Sequence, residues 1–279
     1  MEGIVLPQDL NIDTSRNIQV FNYQRQENVE KLKITLSKNT ISFLQKGQKE
    51  VFGDNKTVKL GADKFVLMKS GKCLMTEKIS DQDQLYHSIL LFFSDDLVRD
   101  FLEKNELYDT SERTSDSFYT FEYDSFLDHF AKGLENVLQL EGLNDEKILK
   151  AKFEELMQYL TARHGAGFLN DMLETKDNSA HHLRAIVESN LYNKLSTQEL
   201  AFLSHMSVST FKREFQKEYQ ESPIKYFRNK RLEYVASLLK TQQRKPIELF
   251  EEAGYDNFSN FIQAFKRKFG LTPKQFQNQ

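Results

Sequence analysis

The stretch SVSTFKREFQKEYQESP (207–223) is matched, 50 residues later, by NFSNFIQAFKRKFGLTP (257–273). Under this offset the coinciding positions are Ser209 with Ser259, Phe211 with Phe261, Phe215 with Phe265, Tyr219 with Phe269 and Pro223 with Pro273. Repetition at helical spacing indicates that one small helical unit occurs twice. The C-terminal part of the chain is therefore predicted to be all helical.

Capping signals divide each copy into helices. Ser196 and Glu199 form a capping box, as do Thr272 and Gln275, while Ser222 and Thr272 each precede a proline suited to the first helical position. The predicted elements are first helices at about 197–204 and 247–253, tight connections at 204–206 and 254–256, second helices at about 208–219 and 258–269, and a joining helix from 223 to about 240. This is the spacing of helix-turn-helix motifs.

The second helix of each copy has an apolar face and a polar face. At 100° per residue, the predicted core positions are Val208, Phe211, Phe215 and Tyr219 in one copy and Phe258, Phe261, Phe265 and Phe269 in the other. The other face and the adjoining first turn supply the candidate DNA-binding residues: Ser209, Thr210, Lys212, Arg213, Gln216, Lys217, Asn257, Ser259, Asn260, Gln263, Lys266 and Arg267.

These polar residue types are the ones that read a DNA groove. Arginine bonds to guanine with two hydrogen bonds, asparagine and glutamine bond to adenine, and lysine and serine suit phosphate oxygens. An ordinary solvated face would be the better interpretation of either helix alone. The same face recurs in two capped units, which favours nucleic-acid recognition.

Charge is distributed unevenly along the 279 residues. Residues 180–279 carry 16 Lys and Arg against 10 Asp and Glu, a net +6, whereas the first 179 residues carry 22 against 31, a net −9. A basic half is typical of a module that binds a polyanion. There is no run of 18 apolar residues and no export signal, so we expect a cytoplasmic protein without membrane contact.

Residues 17–93 contain short apolar runs separated by turn signals, and LYHSILLFF (85–93) is the most apolar of them. This pattern predicts a small jelly-roll-like barrel. Its single histidine, His87, is interpreted as a hydrogen-bonded or solvated strand residue, and the chain's one cysteine, Cys73, as a packed strand residue. We expect no metal and no cofactor, and name no effector-binding residues, because the strand register is not fixed by one sequence.

Helical periodicity begins after Ser94. A short helix is expected at 94–105, and two longer amphipathic helices have apolar stripes from Phe126 to Leu138 and from Ile148 to Leu160. These stripes could pack on the parent domain or form a homodimer interface. The predicted domains are a sensor barrel (1–110), a helical packing or dimerisation region (111–172), a linker (173–180) and a DNA-binding domain (181–279).

The C-terminal segments LSTQELAFLSHMSVSTFKREFQKEYQESPIKYFRNKRLEYVASLLK and PIELFEEAGYDNFSNFIQAFKRKFGLTPKQF resemble the paired helix-turn-helix domain of the AraC/XylS family of bacterial transcription regulators. The segments ISFLQKGQKEV, LGADKFVLMKSG and YHSILLFFSDDLVRDFL resemble the sensor domain of ExsA-type members. The resemblance implies an α+β protein, with a cupin-like barrel, appended dimerisation helices and two helix-turn-helix motifs. One position departs from the family, since Phe250 replaces a small alanine.

The resemblance implies a transcriptional activator, not an enzyme, whose partners are promoter DNA and RNA polymerase. Its N-terminal domain would be controlled by a small effector, a protein partner or self-association. Two units joined by a stiff helix should enter successive major grooves about 34 Å apart. Because the units differ in sequence, the site should be an asymmetric pair of boxes. Two alternatives are a cupin-type metal enzyme with an accessory DNA-binding domain and a constitutive DNA-binding protein.

Overall fold

A computed structural model of the chain describes residues 3–80, 82, 84–107, 116–139, 145–173, 179–242 and 244–278. The chain divides into two compact units, one ending at His182 and the other beginning at Leu183. The predicted linker, 173–180, falls mostly on residues 174–178, outside the described residues. None of the helices in the described ranges has the length and apolar character needed to cross a bilayer.

The N-terminal unit contains two five-stranded sheets. The strands are β1 (Ile4–Leu6), β2 (Ile18–Arg25), β3 (Val29–Leu36), β4 (Asn39–Lys46), β5 (Gln48–Phe52), β6 (Thr57–Leu60), β7 (Lys64–Met68), β8 (Gly71–Lys78), β9 (Tyr86–Phe93) and β10 (Phe118–Glu122). One sheet has the order β1-β3-β8-β5-β6 and the other β10-β7-β4-β9-β2. The β1–β3 pair is parallel and the other pairs are antiparallel.

The strand β9 is apolar throughout because both of its faces are covered. Leu90 and Phe92 point between the two sheets, where they meet Ile34 and Met75 of the opposite sheet. The alternate residues, including Leu91, belong to a second core on the outer side of the same sheet. A strand that is buried on both faces reads as a continuous hydrophobic run, as this one does.

Four helices follow the strands of this unit: α1 (Asp95–Lys104), α2 (Ser125–Gln139), α3 (Glu146–His164) and α4 (Gly167–Leu173). The apolar stripes of α2 and α3 pack with Ile89 and Phe93 of the sheet in one core, and Phe153 lies fully buried there. The stripes are thus covered within a single chain. The strand β10, which the sequence analysis did not predict, joins the edge of this sheet beside β7.

The C-terminal unit is all helical. Its helices are α5 (Ser179–Ser189), α6 (Thr197–Leu203), α7 (Val208–Tyr219), α8 (Pro223–Thr241), α9 (Pro246–Leu249), α10 (Phe258–Phe269) and α11 (Pro273–Gln277). The pairs α6–α7 and α9–α10 are the two helix-turn-helix motifs, and α8 joins them. The α+β class and the two predicted motifs are confirmed.

Paired phenylalanines form the two cores of this unit. Phe211 and Phe215 are fully buried in α7, and Phe261 and Phe265 are fully buried in α10, as the face assignment predicted. The assignment of Val208 to the core is wrong, because its side chain is 36% exposed. Its counterpart Phe258 is partly buried and contacts the ring of Phe250 at 6.0 Å between centroids.

The two motifs do not keep a constant offset. Both first helices end in a Schellman pattern, in which Met206 N–H donates to Ala201 O and Tyr255 N–H donates to Phe250 O. These bonds make Phe250 the equivalent of Ala201, 49 residues on, whereas the second helices begin at Val208 and Phe258, 50 residues apart. The expected pairing of 204–206 with 254–256 is therefore wrong by one residue, and the second connection is one residue longer.

The same equivalence accounts for the exposure of Val208. In the second motif the large Phe250 covers the first turn of α10 and half-buries Phe258. In the first motif the small Ala201 stands in that place, and Val208 is 36% exposed. The first helix of the second motif is also shorter than predicted, since α9 ends at Leu249 and its last residues form turns.

Candidate nucleic-acid interface

A side chain caps the N-terminus of each second helix. Ser207 Oγ accepts a hydrogen bond from Thr210 N–H at 3.1 Å, and Asn257 Oδ1 accepts one from Asn260 N–H at 2.9 Å. Each bond satisfies a backbone donor that the helix leaves free. The cap of α7 is the more crowded, because Ser207 Oγ also lies 2.9 Å from the hydroxyls of both Ser209 and Thr210.

All twelve residues chosen from the sequence lie at or near the surface. Thr210 is partly buried, and the others are exposed: Ser209, Lys212, Arg213, Gln216, Lys217, Asn257, Ser259, Asn260, Gln263, Lys266 and Arg267. The buried phenylalanines hold the opposite side of each helix, so the polar face is fixed in direction. The two recognition surfaces, meaning these exposed residues of α7 and of α10, are therefore presented to solvent.

Ion pairs distinguish cations on these surfaces from cations elsewhere in the unit. Lys268 pairs with Glu233 at 3.0 Å and Arg184 pairs with Glu218, and both lie off the polar face. Within the described part of the unit, the recognition-surface residues Lys212, Lys217, Lys266 and Arg267 form no ion pair. Such cations are available to phosphate groups.

Arg213 is the cation of the recognition surfaces that has a carboxylate partner. Its Nε donates to Glu214 Oε1 at 3.1 Å, and its Nη2 lies 3.0 Å from the same oxygen. The arginine side chain is 72% exposed and that of Glu214 is 34% exposed. In the second motif the corresponding residues are Gln263 and Ala264, which cannot form such a pair.

Arg231, which the sequence analysis did not single out, positions the second motif. Its Nε donates to Ala253 O at 3.1 Å, which ties α8 to the turn that follows α9. Gly254 follows with a φ of 80°, and a Cβ there would lie 2.9 Å from Arg231 Nε. The basic character of α8 was visible in the sequence, but this contact requires two segments that are far apart in the chain.

The space between the two sheets contains a buried polar cluster. Lys49 Nζ lies 3.0 Å from Glu77 Oε1, and Tyr23 Oη donates to Glu77 Oε2 at 2.9 Å. Burial raises the pKa of Tyr23 to about 12, so its hydroxyl remains a donor. A cavity of about 20 Å³ adjoins these side chains, roughly the room that one water molecule needs.

His87 and Cys73 have the structural roles expected of them. His87 Nε2 is hydrogen-bonded to Asn22 Oδ1 at 2.8 Å, and the side chain is nearly buried. Cys73 is buried, which raises the pKa of its thiol to about 12. Among the residues that the structure describes, no three His, Cys, Asp or Glu side chains are grouped so as to hold a metal ion.

The two units match two different family models. Residues 39–170 match the ExsA N-terminal regulatory domain, and residues 200–279 match a helix-turn-helix domain. Neither match extends over the junction between the units.

Individual relatives include bacterial regulators. The chain is 28% identical over 129 residues to the virulence regulon transcriptional activator VirF of Yersinia enterocolitica, covering 46% of this chain and about half, 48%, of that protein. It is 22% identical over 233 residues to the regulator ExsA of Pseudomonas aeruginosa, covering 83% of both chains. Among solved structures, ToxT from Vibrio cholerae aligns with a TM-score of 0.40 and 13% identity over 94% of this chain and 98% of ToxT.

Proposed function

The chain belongs to the AraC/XylS family of bacterial transcription regulators, with an N-terminal domain of the ExsA type, and from this we propose that it is a cytoplasmic activator that binds promoter DNA. The observation that carries the proposal is the pair of capped helices, α7 and α10, whose buried phenylalanines direct polar faces outward. Activation requires contact with RNA polymerase, to which we assign no residues.

Two distinct recognition surfaces support an asymmetric site. Gln216 of α7 and Asn260 of α10 are exposed and carry the amide groups that bond to adenine edges. Arg213 of α7 suits guanine, whereas α10 has Gln263 at the equivalent position. The two helices should therefore read different boxes whose centres lie about one helical turn, roughly 10 base pairs, apart. The twelve sequence-derived residues are proposed as the protein side of this contact.

The packing between the sheets favours a regulatory signal that acts at the surface of the N-terminal domain. The cavity beside Lys49 and Glu77 is about 20 Å³, so an effector of more than a few atoms would need the sheets to separate. A protein partner or self-association requires no such opening. Since the stripes of α2 and α3 are covered in the monomer, a homodimer would use other faces of this unit.

Substitutions on the two surfaces test the proposal. Gln263→Ala should remove base preference at one position of the second box, with a loss of about 1–3 kcal/mol of discrimination there. Lys217→Ala should weaken binding on all sequences and lower the salt dependence by the equivalent of about one phosphate contact. Footprinting and titration of the full-length chain on its own promoter would measure both effects. If both variants bind like the wild type, the surfaces are assigned to the wrong residues.

A further inference from the structure

The paired side chains of Arg213 and Glu214 carry an inference that rests on the proposed function and extends it. We propose that Glu214 is a positioning residue for DNA recognition. It holds the Nε side of the Arg213 guanidinium, so that the opposite edge of the group is presented to a guanine in the major groove. No base contact is assigned to Glu214 itself.

The donor geometry of arginine supports this division of roles. A guanidinium has five N–H groups in a rigid, planar fork. One oxygen of Glu214 lies 3.1 Å from Nε and 3.0 Å from Nη2, which engages the N–H groups on that side. Three N–H groups remain, including the two at the far end of the fork. Those two have the spacing needed to bond to guanine O6 and N7 together.

Folded-state stability does not account for this pair. Arg213 is 72% exposed and Glu214 is 34% exposed, and an ion pair in that setting contributes little because water and salt screen it. Neighbouring residues in a helix also do not face each other, so the guanidinium has to bend along the helix surface to reach Glu214. In the structure that bend gives the long side chain one direction, and the pair should hold it more firmly in a DNA groove, where less water screens the two charges.

The carboxylate also lies beside a phosphate-binding surface, where negative charge opposes DNA binding. Lys212 and Lys217 of the same helix are exposed and, among the described residues, form no ion pair. A negative group placed next to them weakens general affinity for DNA. A gain in base discrimination would offset that loss, because a fixed arginine spends less conformational entropy on binding.

The second motif provides an internal comparison. Its residue equivalent to Arg213 is Gln263, and its residue equivalent to Glu214 is Ala264. A glutamine side chain is neutral and shorter than arginine, and its amide has two N–H donors on one nitrogen. It therefore needs no carboxylate to leave one set of donors facing the base. At this position the carboxylate thus follows the arginine in the first motif, and a methyl group follows the glutamine that takes its place in the second; the second motif's own surface arginine, Arg267, lies at the position of Lys217.

The test measures affinity of the full-length chain for its promoter duplex and for duplexes changed, one base pair at a time, in the first box. The proteins compared are the wild type, Arg213→Ala, Glu214→Ala, Glu214→Gln and the Arg213→Ala/Glu214→Ala double variant. Glu218→Ala is the matched control, because Glu218 is a carboxylate of the same helix that pairs with Arg184 away from the recognition surface.

We expect Arg213→Ala to lose guanine preference at one base pair by about 5- to 150-fold. Glu214→Ala should lose part of that preference at the same base pair and gain affinity for unrelated DNA. Glu214→Gln removes the same charge but keeps an oxygen that can accept from Nε, so it should retain more preference than Glu214→Ala. In the double variant the second substitution should cost no further preference, since the two residues act through one contact.

Three results would overturn the inference. Unchanged preference in Glu214→Ala, with higher affinity on every duplex, would mean that Glu214 only repels DNA. Sharper preference would mean that it competes with guanine for Arg213. If Glu214→Ala and Glu218→Ala changed base preference equally, the effect would come from the loss of a negative charge anywhere on the helix and not from the contact with Arg213. If the wild-type chain shows no sequence preference, the proposed function is rejected as well. If the wild type prefers its promoter sequence but Glu214→Ala gives one of these three results, only the inference fails and the proposed function stands.

Discussion

Each helix-turn-helix motif has a residue in the left-handed backbone region after its first helix and another after its second. The two motifs use different residue types at these positions. Gly254 and Gly270 have φ values of 80° and 77° in the second motif. The corresponding residues of the first motif are His205 and Gln220, with φ values of 55° and 54°. A side chain in this region is strained, whereas glycine is not. The first motif therefore tolerates this strain where the second avoids it.

Gly254 and Gly270 allow backbone strain to be separated from crowding. Gly270→Ala should cost about 1–2 kcal/mol, the usual cost of a side chain in the left-handed region, because no atom lies within 4 Å of its new Cβ. Gly254→Ala should cost more, because its Cβ would lie 2.9 Å from Arg231 Nε and disturb the bond to Ala253 O. Urea unfolding followed by circular dichroism would rank the two, and equal costs would contradict the role given to Arg231.

His87 gives the N-terminal unit a pH dependence with a defined sign. Burial lowers the pKa of His87 below its ordinary value, and the Glu135 carboxylate at 3.8 Å only partly opposes this. The unfolded chain then binds a proton more readily than the folded one, so stability falls as the pH drops through about 6.5. His87→Gln should reduce this loss, measured by thermal unfolding at several pH values. If His87→Gln lost as much stability on acidification as a variant of the exposed His129 does, the prediction would be contradicted.

At the scale of elements, the first helices of the two motifs differ more than the second ones. The helix α6 has seven residues and packs the small Ala201 inward, whereas α9 has four and is followed by the half-buried Phe250. Phe250 in turn contacts Phe258 in the first turn of α10. The position that departs from the family pattern thus supports the recognition helix of the second motif directly.

Exchanging the residue types at these two positions tests the equivalence. Phe250→Ala should destabilise the second motif by about 1–2 kcal/mol, less than the loss of a fully buried ring. It should also weaken protection of the second DNA box while leaving the first box protected. Ala201→Phe should be tolerated less well, since Ala201 is only 1% exposed and overpacking of a core costs about 1–3 kcal/mol. Footprinting would measure protection of each box by each variant, and unfolding curves would measure the loss of stability. If Phe250→Ala and Ala201→Phe had similar, mild effects, the equivalence of positions 201 and 250 would be disproved.

For the whole molecule, the division of charge is the property with the clearest consequence. The residues from 180 onward carry a net charge of +6, and the preceding residues carry −9. General attraction to DNA depends on net charge as well as on specific contacts. We therefore expect the acidic N-terminal part to oppose non-specific DNA binding by the basic part, whatever its regulatory role.

A fragment of residues 175–279 keeps α5 whole and should bind unrelated duplex DNA more tightly than the full-length chain at low salt. The difference in DNA affinity between the fragment and the full-length chain should decrease as salt rises, because screening shortens the reach of the acidic charges. Affinity titrations over a series of salt concentrations would measure it. Replacing both Lys217 and Lys266 by alanine in the fragment is the control, and should lower the salt slope by about 2. Weaker binding by the fragment at every salt concentration would refute the prediction.

The sequence by itself determined the second helices of the two motifs and the helix that joins them. The predicted bounds of α7 and α10 agree with the structure, and all twelve candidate residues lie at least partly in solvent. These features follow from local rules, namely capping residues, prolines at first helical positions and the 3.6-residue period. The strand β9 could also be predicted from the sequence, because a strand covered on both faces is apolar throughout.

Only the tertiary structure decided how equivalent residues are used. It showed that Val208 is exposed, that the second connection is one residue longer and that β10 completes a sheet. It also brought Arg231 to Ala253 and bent Arg213 onto Glu214. A period or a cap depends on neighbours within one turn of helix, whereas these contacts depend on the bulk and position of residues in other segments, or on which of several rotamers a long side chain adopts.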